Sequence, residues 1–217
     1  MMELRDVWAG YKVHGREHLV LRGVNASFWR GDAVGIMGRN GAGKSTLVKV
    51  LSGRLQPSRG KFLRDPEFRV SWPLGFGGAI HGSITGADNA RFIARIYDRD
   101  PYEIEHQVEE FAELGHFMHQ PVNTYSSGMR GRLAFALSMA IDFDCYLVDE
   151  AIAAGDARFQ SRFRMAMEER RKRSTVIVVS HSTSILKDLC TSAAILHEGR
   201  LAFHEDLDEA IAIYERL

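Results

Sequence analysis

The stretch Gly38-Arg39-Asn40-Gly41-Ala42-Gly43-Lys44-Ser45-Thr46 decides how the rest of the chain is read. Its spacing is G-x-x-x-x-G-K-[ST]. In that pattern glycines let successive backbone N–H groups curl round phosphate oxygens, the lysine reaches the terminal phosphates, and a hydroxyl coordinates Mg²⁺. Ala33 to Met37, just upstream, is short and mostly apolar, and Leu47 to Leu51 continues apolar at helical spacing. The flanks therefore predict strand, loop, helix, which adds helix N-terminal N–H groups and dipole to anion binding. A glycine-rich surface turn has no need of such flanks.

The totals bound the remainder. A chain of 217 residues is long enough to enclose one substantial core, and one nucleotide-binding domain over 1–217, with a small helical insertion at about 87–140, is the economical expectation. Lys+Arg and Asp+Glu are 28 each, so the zero net charge gives no case for binding nucleic acid through bulk charge. Cys145 and Cys190 fall in apolar contexts without metal-ligand spacing and are read as reduced core residues. The N-terminus has two early acidic residues and no apolar core, unlike a secretory signal. The longest apolar run, Leu133 to Ile141, is far short of a bilayer span. If the protein works at a membrane, a partner does the spanning.

Ahead of the glycine loop, Met2 to Trp8 and Val24 to Phe28 read as half-buried strands, with His14 to Glu17 a polar turn between them. Tyr11, just before that turn, has two readings, an aromatic that stacks on a base or one packed on a sheet edge. After the loop, Pro57 to Gly60 is a turn, and Lys61 to Arg64 and Phe68 to Ser71 are short strands. Ser71 to Gly86 (SWPLGFGGAIHGSITG) is glycine-rich and apolar with few charges, a segment expected to order against a protein surface or ligand. Asn89 to Tyr97 and Tyr102 to Leu114 are helical, the second started by Pro101 and ended by Gly115.

Ser126, Ser127 and Gly128 then head a helix over Arg130 to Ala140, where hydroxyls and free N–H groups serve either as an ordinary cap or toward an anion. Cys145 to Glu150 is an apolar strand ending in two acids. A strand-end acid such as Asp149 beside a phosphate loop suits Mg²⁺, and Glu150 suits polarising water for attack on a terminal phosphate. Phe159 to Lys172 reads as a long helix, and Thr175 to Val179 as a strand of a parallel sheet covered on both faces. His181 follows at the strand end, the edge of such a sheet where ligands sit. A helix marked by Ile185, Leu186 and Leu189, two strands over Ala193 to His197 and Leu201 to Phe203, and a helix from Leu207 close the chain.

In this order the motifs resemble the ATP-binding subunit of an ABC transporter over essentially the whole chain. SWPLGFGGAIHGSITG, YSSGMRGRLAFALSMA and DEAIAAGDARF are similar to the capsular polysaccharide export ATPases in particular. The resemblance implies an α/β P-loop ATPase fold: a mixed sheet core, an antiparallel β subdomain and an inserted helical subdomain. It implies ATP and Mg²⁺ as ligands, with Gly38 to Thr46 as the Walker A loop, Lys44 on the beta and gamma phosphates and Ser45 on Mg²⁺. Asp149 matches the metal-binding acid, Glu150 the catalytic carboxylate, His181 the switch histidine and Tyr11 the adenine-stacking aromatic. Ser126, Ser127 and Gly128 match the signature loop that closes over ATP held by the opposite subunit, so a homodimer is implied.

Three departures stand out. The signature reads YSSGM rather than LSGGQ. No glutamine lies between Gln56 and Gln107 to sense magnesium and the permease, leaving His81 at about the right distance. After Glu150 the chain reads AIAAGD, leaving Asp156 as the subunit-contact acid. The implied partners are a multispanning permease and periplasmic and outer-membrane export proteins, with no nucleic acid. The implied location is the cytoplasmic face of a bacterial inner membrane. Export of O-antigen or teichoic acid, and a soluble non-transport ATPase, are the competing expectations.

Overall fold

The strand ahead of the glycine loop, β3 (Ala33–Met37), is buried at every residue and lies in the middle of a five-stranded sheet. The computed structural model describes residues 1–74, 80–149 and 157–217. In the five-stranded sheet the order is β5 (Cys145–Asp149), β6 (Thr175–Val179), β3, β7 (Ser192–His197) and β8 (Arg200–His204). The first four run parallel and β8 is antiparallel to β7, so the sheet is mixed. β6 is as apolar and as buried as β3, which is what a parallel strand covered on both faces requires.

A second, antiparallel sheet has the order β2 (Arg16–Phe28), β1 (Met2–Val13), β4 (Arg59–Arg64). Its inward residues Met2, Leu4, Leu21 and Phe28 share one core with Ile36, Leu47, Leu51, Ile177 and Leu196. Both sheets belong to one compact unit, with α1 (Lys44–Leu51), α6 (Thr183–Leu189) and α7 (Leu207–Tyr214). Burial holds the thiols of Cys145 and Cys190 well above the usual range, Cys190 at about 12, so both are neutral core groups.

The other unit is built chiefly on Leu74–Asp142. It holds α2 (Gly86–Ile96), α3 (Pro101–Ala112) and α4 (Ser127–Ala140), and takes in Phe159 and Phe163 from α5 (Ala157–Arg171). Its centre is aromatic: Phe135 lies 5.3 Å from Phe111, 4.7 Å from Phe163 and 5.8 Å from Phe159, centroid to centroid. Ser138, within the buried run of α4, is satisfied by donating to the Ala134 carbonyl at 2.9 Å. α3 starts as Pro101 predicts, with the Asp100 carboxylate accepting from the N–H groups of Tyr102 and Glu103 at 2.9 and 2.8 Å.

Three element boundaries differ from expectation. The β1–β2 hairpin runs unbroken to His14-Gly15 rather than stopping at Trp8 and resuming at Val24. Phe68 to Ser71 is not a strand: Val70 makes one isolated bridge to Cys145, and the Ser71 N–H donates to the Cys145 carbonyl at 2.8 Å. α3 stops at Ala112 because Glu113, two residues ahead of Gly115, is its cap and already takes the left-handed conformation, with φ of 48°.

Candidate functional site

β3 delivers the chain to Gly38, and α1 carries it away from Gly43. A Cβ on Gly38 would stand 2.5 Å from the Leu196 carbonyl oxygen, so β7 approaches the loop too closely for any side chain there. Gly43 sits at φ of 109° as the N-cap of α1, and no side chain caps the helix. The N–H groups of the first helical turn are thus left for an anion, in a loop of the spacing that wraps phosphates.

Lys44 opens α1. Its ammonium donates to the Gly38 carbonyl at 2.6 Å and to the Arg39 carbonyl at 3.4 Å, which folds the side chain back over its own loop. Burial lowers its pKa, and the charge of Asp149 opposes that. The reciprocal holds at the end of β5, where burial raises the pKa of Asp149 and Lys44 offsets part of the rise. Strand register explains the meeting: Asp149 is level with Val179 on β6, which is level with Ile36 on β3, two residues before Gly38. The next residue, Ser45, is exposed and places a hydroxyl at the same helix start.

These oxygen donors suit a hard cation. Among the described residues no three His, Cys, Asp or Glu side chains cluster as a metal cage. A carboxylate and a hydroxyl beside a phosphate loop is instead the donor set that fits Mg²⁺, which keeps waters and shares substrate phosphates.

Tyr11 lies near the turn end of β1, opposite His18 across the hairpin and 38% exposed. Its hydroxyl is 3.3 Å from that of Thr46 and accepts from the Lys49 ammonium at 3.1 Å, and the same ammonium stands 5.1 Å from the ring centroid. The hydrogen bond to Thr46, then the hydrogen bond and the charge of Lys49, hold the phenol below its ordinary pKa. The ring is on the central strand of its sheet, past the stretch that pairs with β4, and is tied to the helix that follows the glycine loop. Lys49 was not singled out from the sequence. Its only cue is a cation one turn beyond Lys44 on an otherwise apolar helix.

His181 follows β6 and is exposed. It lines a cavity of about 520 Å³ together with Arg39 and Asn40 of the loop and Tyr214 of α7. Tyr11, the loop from Gly38 to Thr46, Asp149 and His181 therefore belong to one unit.

Ser126, Ser127, Gly128 and His81 belong to the other. The Ser126 hydroxyl accepts from the Met129 N–H at 3.2 Å, so it caps α4, while Ser127 is exposed on the first turn beside Gly128. Buried Tyr125 donates its hydroxyl to the Phe117 carbonyl and anchors the turn. The exposed side chain of His81 rides on a backbone pinned by Asn89, which is buried and unforeseen from the sequence. Its amide accepts from the His81 N–H at 2.8 Å and donates to the carbonyls of His81 and Thr85 at 3.1 and 2.8 Å. The cue was a polar residue among apolar ones in the first turn of α2. Glu150 and Asp156 lie outside the described residues, as do positions 75–79 of the glycine-rich segment.

With this geometry in place, the comparisons with known proteins agree among themselves. Residues 21–153 match the family described as ABC transporter. ATP-binding protein BexA of Haemophilus influenzae is 45% identical over 214 residues, 99% of this chain and 98% of that protein. Capsule polysaccharide export ATP-binding protein CtrD of Neisseria meningitidis serogroup B is 45% identical over 217 residues, 100% of both chains. Among solved structures, an ATP-binding subunit of an ABC transporter superposes with a TM-score of 0.84 over 99% of each chain at 23% identity, a likeness of fold. Among the described residues no helix is long and apolar enough to cross a membrane.

Proposed function

Since the chain belongs to the ABC transporter family, we propose that it is the ATP-hydrolysing subunit of an exporter that drives capsular polysaccharide across a bacterial inner membrane through a separate permease. The observation that carries this reading is the end-to-end match at 45% identity to a relative named for capsule polysaccharide export. The protein then works at the cytoplasmic face of that membrane, held there by the permease, with polysaccharide-export proteins of the envelope beyond it.

In the reaction, the loop N–H groups from Gly38 to Thr46 cradle the phosphates of ATP and Lys44 balances the charge on the outer two. Ser45 and Asp149 would hold Mg²⁺, which draws negative charge from the phosphate oxygens when bound. Glu150 orients a water and takes its proton, and His181 fixes the terminal phosphate against it. Tyr11 stacks on the base. Ser126, Ser127 and Gly128 close over the ATP of a second copy, Asp156 meets that copy, and His81 stands in for the missing glutamine in sensing the permease. Binding closes the pair, the motion passes to the permease through the Trp72 to Gly86 region, and hydrolysis reopens it.

Two experiments test the reading. Glu150→Gln is expected to keep ATP binding and lose turnover, and appreciable residual hydrolysis removes Glu150 from its role. Affinity capture from solubilised membranes, read by mass spectrometry, is expected to bring down a multispanning permease with polysaccharide-export envelope proteins. Recovery of ribosomes or nucleic acid instead would leave only the ATPase, and recovery of an O-antigen or teichoic acid permease would change the glycan.

A further inference from the structure

The cavity beside His181 has a wall that the mechanism above does not use. Its lining residues Arg39, Asn40, His181 and Tyr214 carry a guanidinium, an amide, an imidazole and a phenol. Each presents an N–H or O–H donor, and none of the four is a carboxylate. Arg39 brings a fixed positive charge, the other three can each turn a donor inward, and no carboxylate among the four repels a multiply charged oxyanion.

Tyr214 reaches this position because its helix is fastened at both sides of the cavity. Ala210 and Ile211 are buried, and α7 packs along β7 and β8. The Lys187 ammonium meets the Asp208 carboxylate at 2.7 Å, which ties α7 to α6, the helix that starts two residues after His181. Beyond Tyr214, the Arg39 guanidinium donates to the Leu217 carbonyl at 3.0 Å, which ties the following turn to the phosphate loop. The helix is thus attached to both the loop and the element after His181, the two walls between which a terminal phosphate would enter.

We infer that Tyr214 is a further binding residue of the nucleotide site, its hydroxyl donating to the terminal phosphate of ATP. The inference rests on the reading of the loop as an ATP site. It makes α7 a part of nucleotide recognition, so the site distinguishes ATP from ADP through a residue far along the chain from the glycine loop.

The test is equilibrium binding of ATP and of ADP to the full chain, with magnesium omitted to prevent turnover, for the parent, Tyr214→Phe and Tyr214→Ala. Tyr214→Phe keeps the ring that packs α7 and removes only the donor. Losing a hydrogen bond to a charged phosphate is expected to weaken ATP about tenfold, with ADP affinity unchanged, in both variants. Lys187→Ala, which frees α7 from α6, is expected to shift the same ATP-to-ADP ratio in the same direction by less. Equal weakening of ATP and ADP, or an effect of Tyr214→Ala absent from Tyr214→Phe, assigns Tyr214 to packing and overturns the inference. A parent chain that binds neither nucleotide refutes the ATP-site reading itself.

Discussion

Asp149 and Lys44 show what the site costs at the scale of single residues. Burial pushes the carboxyl up and the ammonium down, and the attraction between them offsets only part of either effect. A folded pKa above the unfolded one means that the folded chain holds the proton more tightly. The contribution of Asp149 to stability is therefore present below the unfolded value and lost as pH rises through the folded value. At neutral pH the ionised carboxylate therefore costs the folded chain stability. Asp149→Asn is accordingly expected to raise the melting midpoint of the nucleotide-free protein by about 2–4 °C near neutral pH, while abolishing hydrolysis. Calorimetry across pH checks this. The gap should narrow as the pH falls toward the carboxylate range, and a parent more stable than the variant at neutral pH would contradict the argument. The placement of Lys44 at the helix start and of Asp149 at the strand end was readable from the sequence because each lies inside a local pattern. The Lys49 contact to Tyr11 and the place of Tyr214 were not, since each depends on residues brought together from distant parts of the chain.

At the scale of elements, the errors of sequence reading have specific causes. β1 was cut short because its pairing with β2 shifts register between Leu4 and Val7, again before Ala9 and again before Gly10. Each irregularity breaks the two-residue alternation by which a strand is recognised, although the hairpin continues through it. The end of α3 was misplaced by two residues because Glu113 already takes the left-handed conformation, at a cost glycine does not bear, two residues before Gly115 does the same. The buried strands β3, β5 and β6 were legible since their apolar runs are short and bounded. Asn89 belongs to this scale too, because it holds the segment before α2 to the helix by three hydrogen bonds. Asn89→Ala strands the His81 N–H and carbonyl, while the Thr85 carbonyl keeps its bond from the backbone N–H of residue 89; it is expected to cost about 2 kcal/mol by chemical denaturation. It should also speed exchange of the His81 amide hydrogen. A loss within about 0.5 kcal/mol, the range of ordinary surface changes, would mean that water or the backbone replaces those bonds.

For the molecule as a whole, the question is whether ATP brings two copies together. Ser127 and Gly128 stand at the head of α4, with Ser127 exposed, and Ser126 is occupied in capping that helix. What remains at the turn is a hydroxyl and helix N-terminal N–H groups, donors suited to phosphate on another copy. If ATP is the bridge, association depends on its terminal phosphate and on its not being cleaved. The chain with Glu150→Gln is then expected to dimerise with ATP and to stay monomeric with ADP or without nucleotide, as measured by light scattering during gel filtration. Gly128→Glu, which sets a carboxylate where the phosphate would lie, is expected to abolish the dimer without removing ATP binding. Equal numbers of acidic and basic residues leave no net charge at pH 7, so copies also lack the mutual repulsion that keeps many proteins apart. Nucleotide-independent association is therefore a real competitor near neutrality. The measurement belongs at about 0.15 M salt, where long-range attraction between exposed charges is screened. A dimer that persists there with ADP, or that survives Gly128→Glu, is not bridged by ATP, and the shared-site reading fails.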